Sequence, residues 1–166
     1  DAGVYSVMLD HGGFPACDDT QIDGRYLPAT LSNKIVTGLL KEKMGFKGVV
    51  VTDAVGMGAV SSAYPSAEDY YATLYNAGND VILFVRDDYF EIMEKAVADG
   101  RVTMERLDES VKRVLDLKEK LGLFDGEIKP EDGLTEEENN YFDEVNYGIA
   151  KGALSLVRNE GNMIPF

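Results

Sequence analysis

"GFKGVVVTDAVGMGAV", residues Gly45 to Val60, is the stretch on which the fold turns. Its apolar centre, Val49-Val50-Val51, is continuous rather than alternating. That is the pattern of a strand covered on both faces in a parallel sheet. The run stops at Thr52-Asp53 and passes into Gly56, Met57 and Gly58. Two readings of Asp53 follow. It closes the strand as an N-cap or Asx turn, or it presents a carboxylate at the carboxyl end of a strand, where parallel sheets and barrels bind ligands. The pattern of residues leaves both open. A phosphate cradle at "GMGA" is excluded, because the dinucleotide fingerprint needs three glycines in G-x-G-x-x-G and only Gly56 and Gly58 are present. A carboxylate just before them would also repel phosphate.

Working outward, the same unit repeats. "VYSVML" (Val4 to Leu9) reads as a strand, followed by a long loop from Asp10 to Leu31 with Gly12, Gly13, Pro15 and Pro28. Ser32 is placed to cap a helix with Ile35, Val36, Leu39 and Leu40 on one face, ended by Gly45. Beyond the Asp53 loop, Ser66 opens a helix with Tyr70, Tyr71, Leu74 and Ala77 inward and Gly78 at its end. "DVILFV" (Asp80 to Val85) is a third strand, and Asp88 with Glu91 predicts a capping box for a helix running to Gly100. Thr103 opens the clearest helix, with Met104, Leu107, Val111, Val114, Leu115 and Leu121, closed by Gly122. An acidic linker over 124–135, a helix from about Glu136 to Lys151 and a short strand-like run "ALSLVRN" complete the chain.

Alternating strands and helices imply an α/β fold with a parallel sheet, open or closed into a barrel. Three such strands are part of a barrel or sheet, since a sheet this small leaves apolar edges unpaired. The expected organisation is barrel-type units over 1–123, a linker over 124–135, and a helix and strand over 136–166 leading into a second domain. The first residues lack an initiating Met and already approach a strand, so the chain is expected to belong to a larger protein.

The formal charge is -14, from 16 Lys and Arg against 30 Asp and Glu, which argues against nucleic acid and anionic membrane surfaces as partners. Much of it lies between Asp125 and Glu144, the composition of a solvated linker and helix face. No apolar run is long enough to cross a bilayer. A single cysteine, Cys17, cannot form an internal disulfide, and with one histidine in the chain no metal or cofactor site is expected. His11, just beyond the first strand, is either a loop hydrogen-bond donor or a substrate contact. Arg86 and Asp87 follow the third strand, so three strand ends bring polar groups to one rim. Met57 is either a pocket wall or a core plug. Tyr70, Tyr71 and Tyr75 have the spacing of core residues rather than of a sugar-stacking platform.

The combination of "VMLDHGGFPACDDT", "LPATLS…GLL" and "GFKGVVVTDA" resembles the last third of the barrel domain in glycoside hydrolase family 3. "AVADGRVTMERLDESVKRVLDLKEKLGLF" is similar to that barrel's closing helices, and "GIAKGALSLVRNEGNMIPF" to the segment leading into the family's second domain. The resemblance implies the C-terminal portion of a TIM-type (β/α)8 barrel, a carbohydrate substrate, and a retaining glycosidase with Asp53 as nucleophile. Met57 and His11 are then candidate substrate contacts. "TDA-x-x-M" with "HGGFPACDDT" looks like the β-N-acetylhexosaminidase branch, whereas the β-glucosidase branch typically shows "SDW". In the former the acid/base is an Asp–His pair in an earlier loop of KHFPGHG-like sequence, and no such stretch occurs here. The general acid is thus expected from the remainder of the barrel, and this chain alone is expected to be inactive. A secreted or cell-envelope location is expected ahead of a cytoplasmic one.

Overall fold

The computed structural model describes residues 3–57, 64, 66–126 and 133–162. Gly58, half of the expected linker and the last four residues lie outside them. The chain divides into two compact units, residues 1–126 and 127–166.

The first unit is built on a three-stranded parallel sheet in the order β1 (Ser6–Leu9), β4 (Val49–Ala54), β5 (Val81–Leu83). The long loop after β1 carries a small antiparallel pair, β2 (Gln21–Ile22) and β3 (Arg25–Tyr26), and a 3-10 turn at Ala29–Leu31. Helix α1 (Lys34–Lys43) connects it to β4 and is wound as a π-helix. Ser32 acts at its start as the sequence predicts, its hydroxyl accepting from Ile35 N at 3.2 Å. Helix α2 (Ala67–Ala77) links β4 to β5, capped by Ser66, whose hydroxyl accepts from Asp69 N. Helices α3 (Tyr89–Ala98) and α4 (Met104–Lys120) follow, the latter capped by Thr103.

The capping box expected at Asp88 does not form. Its carboxylate instead takes two bonds of 2.8 Å from the Arg86 guanidinium, a charge-assisted fork that outcompetes a single backbone amide.

β4 is the central strand because its residues can be buried on both sides. Val49, Val50 and Thr52 are buried, Val50 packing with Val36 and Ala77 between α1 and α2. Leu31, Val55, Tyr70, Tyr71, Leu74, Ile92, Met93 and Val102 form the larger core under α2 and α3. β1 and β5 are the sheet's edges, and on β1 Met8 remains 59% exposed. The close approach of β1 and β4 needs Gly48, where a Cβ would lie 2.3 Å from the Tyr5 carbonyl oxygen.

The strand beginnings are locked from below by Asp80. Its buried carboxylate receives Lys41 Nζ at 3.1 Å, the Ser110 hydroxyl at 3.1 Å and Val50 N at 3.0 Å, with Arg106 and Arg113 at 3.5 and 3.7 Å. One acid thus ties α1, α4 and β4 to the start of β5.

In the second unit, helix α5 (Glu136–Ala153) starts with a full capping box between Thr135 and Glu138. The "ALSLVRN" run ends that helix at Ala153 and continues without strand pairing, so the expected strand is absent among the described residues.

Candidate active site

The site grows from the register of β4 against its two neighbours. On the β1 side the pairing is regular, Ser6 to Leu9 lying opposite Val49 to Thr52. Two residues further on, His11 therefore comes level with Ala54. On the β5 side the register slips: Val51 pairs with Val81, but Ala54 pairs with Leu83. Three steps along β4 match two along β5, which is a β-bulge at Thr52-Asp53. Bulges of this kind re-aim side chains. The amide of Leu83, displaced from a backbone partner, donates to Thr52 Oγ1 at 3.1 Å. Beyond the slip, Val55 N donates to Leu83 O at 3.2 Å.

Asp53 sits at this bulge, partly buried, at the carboxyl end of the central strand. Its Oδ1 accepts from Ala54 N at 2.7 Å. It caps no helix, because α2 begins at Ala67 under Ser66. Of the N-cap and Asx-turn alternatives, the first is thereby removed, while the bond from Ala54 N keeps a local turn-closing role beside that of a presented carboxylate.

His11 is buried, with Nδ1 2.8 Å from Thr30 Oγ1 and Nε2 3.1 Å from the carbonyl oxygen of Ala54. A carbonyl only accepts, so Nε2 carries a proton, and the Thr30 hydroxyl is the partner of Nδ1. Both ring nitrogens are then occupied, and His11 offers none to a sugar hydroxyl. Within the described residues His11 thus ties the strand end to the loop after β1. Thr30 is itself buried, its carbonyl accepting from Asn79 Nδ2 at 2.7 Å.

Met57 follows in the turn that closes with its N–H on Ala54 O at 3.3 Å, and its side chain is 49% exposed. That exposure excludes the core-plug alternative and leaves Met57 on the rim. The tyrosines are core residues, as their spacing predicts. Tyr70 donates its hydroxyl to Val55 O at 3.0 Å, Tyr71 accepts from Arg86 N at 3.1 Å, and Tyr75 meets the Tyr89 hydroxyl at 2.6 Å. Burial pushes the Tyr70 and Tyr89 phenols well above their ordinary pKa, so both stay neutral. A cavity of about 260 Å³ beside this strand end is lined by Val55, Gly56, Tyr64, Tyr71, Phe84 and Arg86. Phe84 at its edge adopts φ +55°, left-handed backbone that costs an aromatic residue energy, and is 78% exposed.

The loop after β1 is pinned below the rim by Asp18, buried against Ser32 Oγ at 2.5 Å, Thr20 Oγ1 at 2.6 Å and Lys34 Nζ at 2.9 Å. Burial alone pushes this carboxyl up, but those donors outweigh it and hold its pKa well below the ordinary value. Cys17 is exposed and unpaired by disulfide. Among the described residues no group of three His, Cys, Asp or Glu side chains is arranged to hold a metal ion, and no helix is long and apolar enough to cross a membrane.

Sequence reasoning missed Thr30, Thr52 and the bulge. Their only signal was the hydroxyl residues in "LPATLS" and "VVVTD", apolar runs where a Thr reads as an ordinary strand or turn residue.

The model of the glycosyl hydrolase family 3 N-terminal domain matches residues 1–117. A β-N-acetylglucosaminidase/β-glucosidase of Cellulomonas fimi is 32% identical over 174 residues, covering 99% of this chain and 30% of that protein. Among solved structures, a family 3 β-N-acetylglucosaminidase from Paenibacillus sp. str. FPU-7 superposes with a TM-score of 0.69 at 32% identity, over 86% of this chain and 28% of that one. A β-glucoside phosphorylase gives a TM-score of 0.76 at 25% identity, over 99% of this chain and 31% of that one. The α/β fold is thus similar to the family's N-terminal barrel domain. The chain spans about a third of the length of these relatives.

Proposed function

The chain belongs to glycoside hydrolase family 3, and on that premise we propose that it supplies the nucleophile, Asp53, of a retaining exo-glycosidase that releases terminal β-N-acetylglucosamine from cell-wall or chitin-type oligosaccharides. The observation that carries this reading is the place of Asp53 at the register slip near the carboxyl end of β4, with no helix for it to cap.

In the first step a carboxylate oxygen of Asp53 attacks the anomeric carbon. The bond from that carbon to the leaving-group oxygen breaks, and the oxygen takes a proton from a general acid. In the second, water loses a proton to the same group, now a base, and displaces Asp53 with retention. The resemblance implies a general acid on an earlier loop of the barrel, outside this chain. That group belongs to further barrel strands pairing with the open edges of β1 and β5. This chain by itself is therefore expected to turn over substrate negligibly, since general acid–base help is worth about 10²–10⁴-fold.

The test uses the longer enzyme that contains this chain. A slow-releasing 5-fluoro N-acetylglucosaminyl fluoride should label the peptide carrying Asp53. Labelling of a different residue, or undiminished turnover in Asp53→Ala, overturns the assignment. Clear preference for nitrophenyl glucoside over nitrophenyl N-acetylglucosaminide would move the substrate to glucosides. The likeness to a β-glucoside phosphorylase favours a second reading of the acceptor, in which phosphate replaces water. Turnover that requires phosphate and yields a sugar 1-phosphate selects it.

A further inference from the structure

We propose that His11 is a positioning residue that fixes the attack geometry of Asp53 through the peptide linking Ala54 to Val55. The proposal rests on the reading of Asp53 as nucleophile and adds a role that the resemblance to known proteins does not assign.

The constraint can be followed bond by bond. Asp53 Oδ1 accepts from the amide of Ala54 at 2.7 Å, so the carboxylate turns with the backbone at Ala54. The next peptide is held from two sides. Its N–H, on Val55, donates to Leu83 O at 3.2 Å toward β5. Its carbonyl, on Ala54, receives His11 Nε2 at 3.1 Å from the β1 side and Met57 N at 3.3 Å from the turn. A planar peptide held at both its N–H and its C=O cannot rotate without breaking one of these bonds. His11 is the only link among the described residues from the β1 side to that carbonyl. The bulge makes such a link necessary, because at Thr52-Asp53 the ladder to β5 is interrupted and the backbone has lost its regular support.

The imidazole is itself oriented. The Ala54 carbonyl only accepts and so holds the proton on Nε2, while the fully buried Thr30 hydroxyl, free to donate or accept, completes the ring's bonding at Nδ1. This is the arrangement by which a hydrogen bond on one ring nitrogen sets the role of the other. The ring is buried and both its nitrogens are engaged, so it meets Asp53 only through the backbone.

Two conservative variants separate positioning from packing. In His11→Gln the side-chain amide N–H can stand where Nε2 stood and still reach Ala54 O. In His11→Asn the shorter amide can occupy the Nδ1 position beside Thr30 but falls short of Ala54. With a dinitrophenyl N-acetylglucosaminide, whose leaving group needs no acid, the rate of glycosyl-enzyme formation isolates the attack by Asp53. The expected result for the longer enzyme is a loss of about 10–100-fold in that rate for His11→Asn, with KM little changed, and recovery to within a few-fold in His11→Gln. Titration with the fluoro-sugar counts folded, reactive sites, so that a poorly folding variant is still read per active molecule. Equal loss in both variants, or no loss in His11→Asn, overturns the proposal while leaving Asp53 labelled and the functional reading intact. Failure to label Asp53 in the parent enzyme overturns both.

An independent reading needs no turnover. With the longer enzyme ring-¹⁵N labelled, the pair of signals that disappears in His11→Gln belongs to His11, the one histidine of this chain. Protonated Nε2 with unprotonated Nδ1 at neutral pH is expected, and Thr30→Val should weaken that preference. The opposite tautomer refutes the proposal.

Discussion

Replacing Asp80 by Asn tests whether the foundation beneath the site is electrostatic. The carboxylate is fully enclosed, and its partners are three cations, one hydroxyl and one backbone amide. Asn keeps the volume but removes the charge. Its NH2 group must then face either Lys41 Nζ or Val50 N, a donor against a donor. Lys41 is already under pressure, because burial pushes its pKa below the ordinary 10.5 against the pull of Asp80. Removing one partner of a buried pair costs about 3–5 kcal/mol. That is a fifth or more of the stability of an ordinary domain, roughly 5–15 kcal/mol. With a urea slope of about 1–3 kcal/mol/M, the midpoint should fall by roughly 2 M. Adding Lys41→Met to Asp80→Asn removes one stranded cation and should return about 1 kcal/mol or more. Urea titrations of the four proteins, followed by circular dichroism, complete the cycle. A shift below about 0.5 kcal/mol for Asp80→Asn, the range of ordinary surface substitutions, would show that water reaches this cluster and that the argument from burial is wrong.

Other outcomes follow from the same geometry. Thr52→Val keeps the shape but leaves Leu83 N without its acceptor, which should cost about 1–3 kcal/mol and lower the labelling rate of Asp53, while Thr52→Ser restores both. Gly48→Ala drives a methyl group into the Tyr5 carbonyl and should part β1 from β4, seen as faster hydrogen exchange at Val49 N, which donates to that carbonyl at 3.0 Å. Asp18 has a folded-state pKa below its ordinary 3.8, so the unfolded chain binds the proton first on acidification. Its stabilisation is complete above that value and is lost as pH falls from 3.8 through the lower folded value. Midpoints measured between about pH 5 and pH 2 should drop less steeply in Asp18→Asn than in the parent.

Periodicity and punctuation alone determined the helices and the three strands of the parallel sheet, because these are local properties, although they missed the β2–β3 pair and placed a strand at "ALSLVRN". Ser66 and Thr103 cap their helices, and the uninterrupted Val49-Val50-Val51 is the central strand of a parallel sheet. The position of Asp53 just past that run was likewise legible, as was the family to which such a run belongs. Asp88 was misread because its competitor, Arg86, stands outside the capping pattern that named it.

Tertiary structure decided what each of these residues does. The bulge at Thr52-Asp53 exists only as a mismatch between two strands separated by a helix, and no local pattern records it. His11 and Thr30 lie 19 residues apart, and His11 and Ala54 lie 43 apart. Their bonds depend on β1 and β4 pairing in one particular register. A side chain's chemistry is written in its own letter, but its partners are chosen by packing between distant segments, as the bonds of His11 to Thr30 and Ala54 are at this strand end.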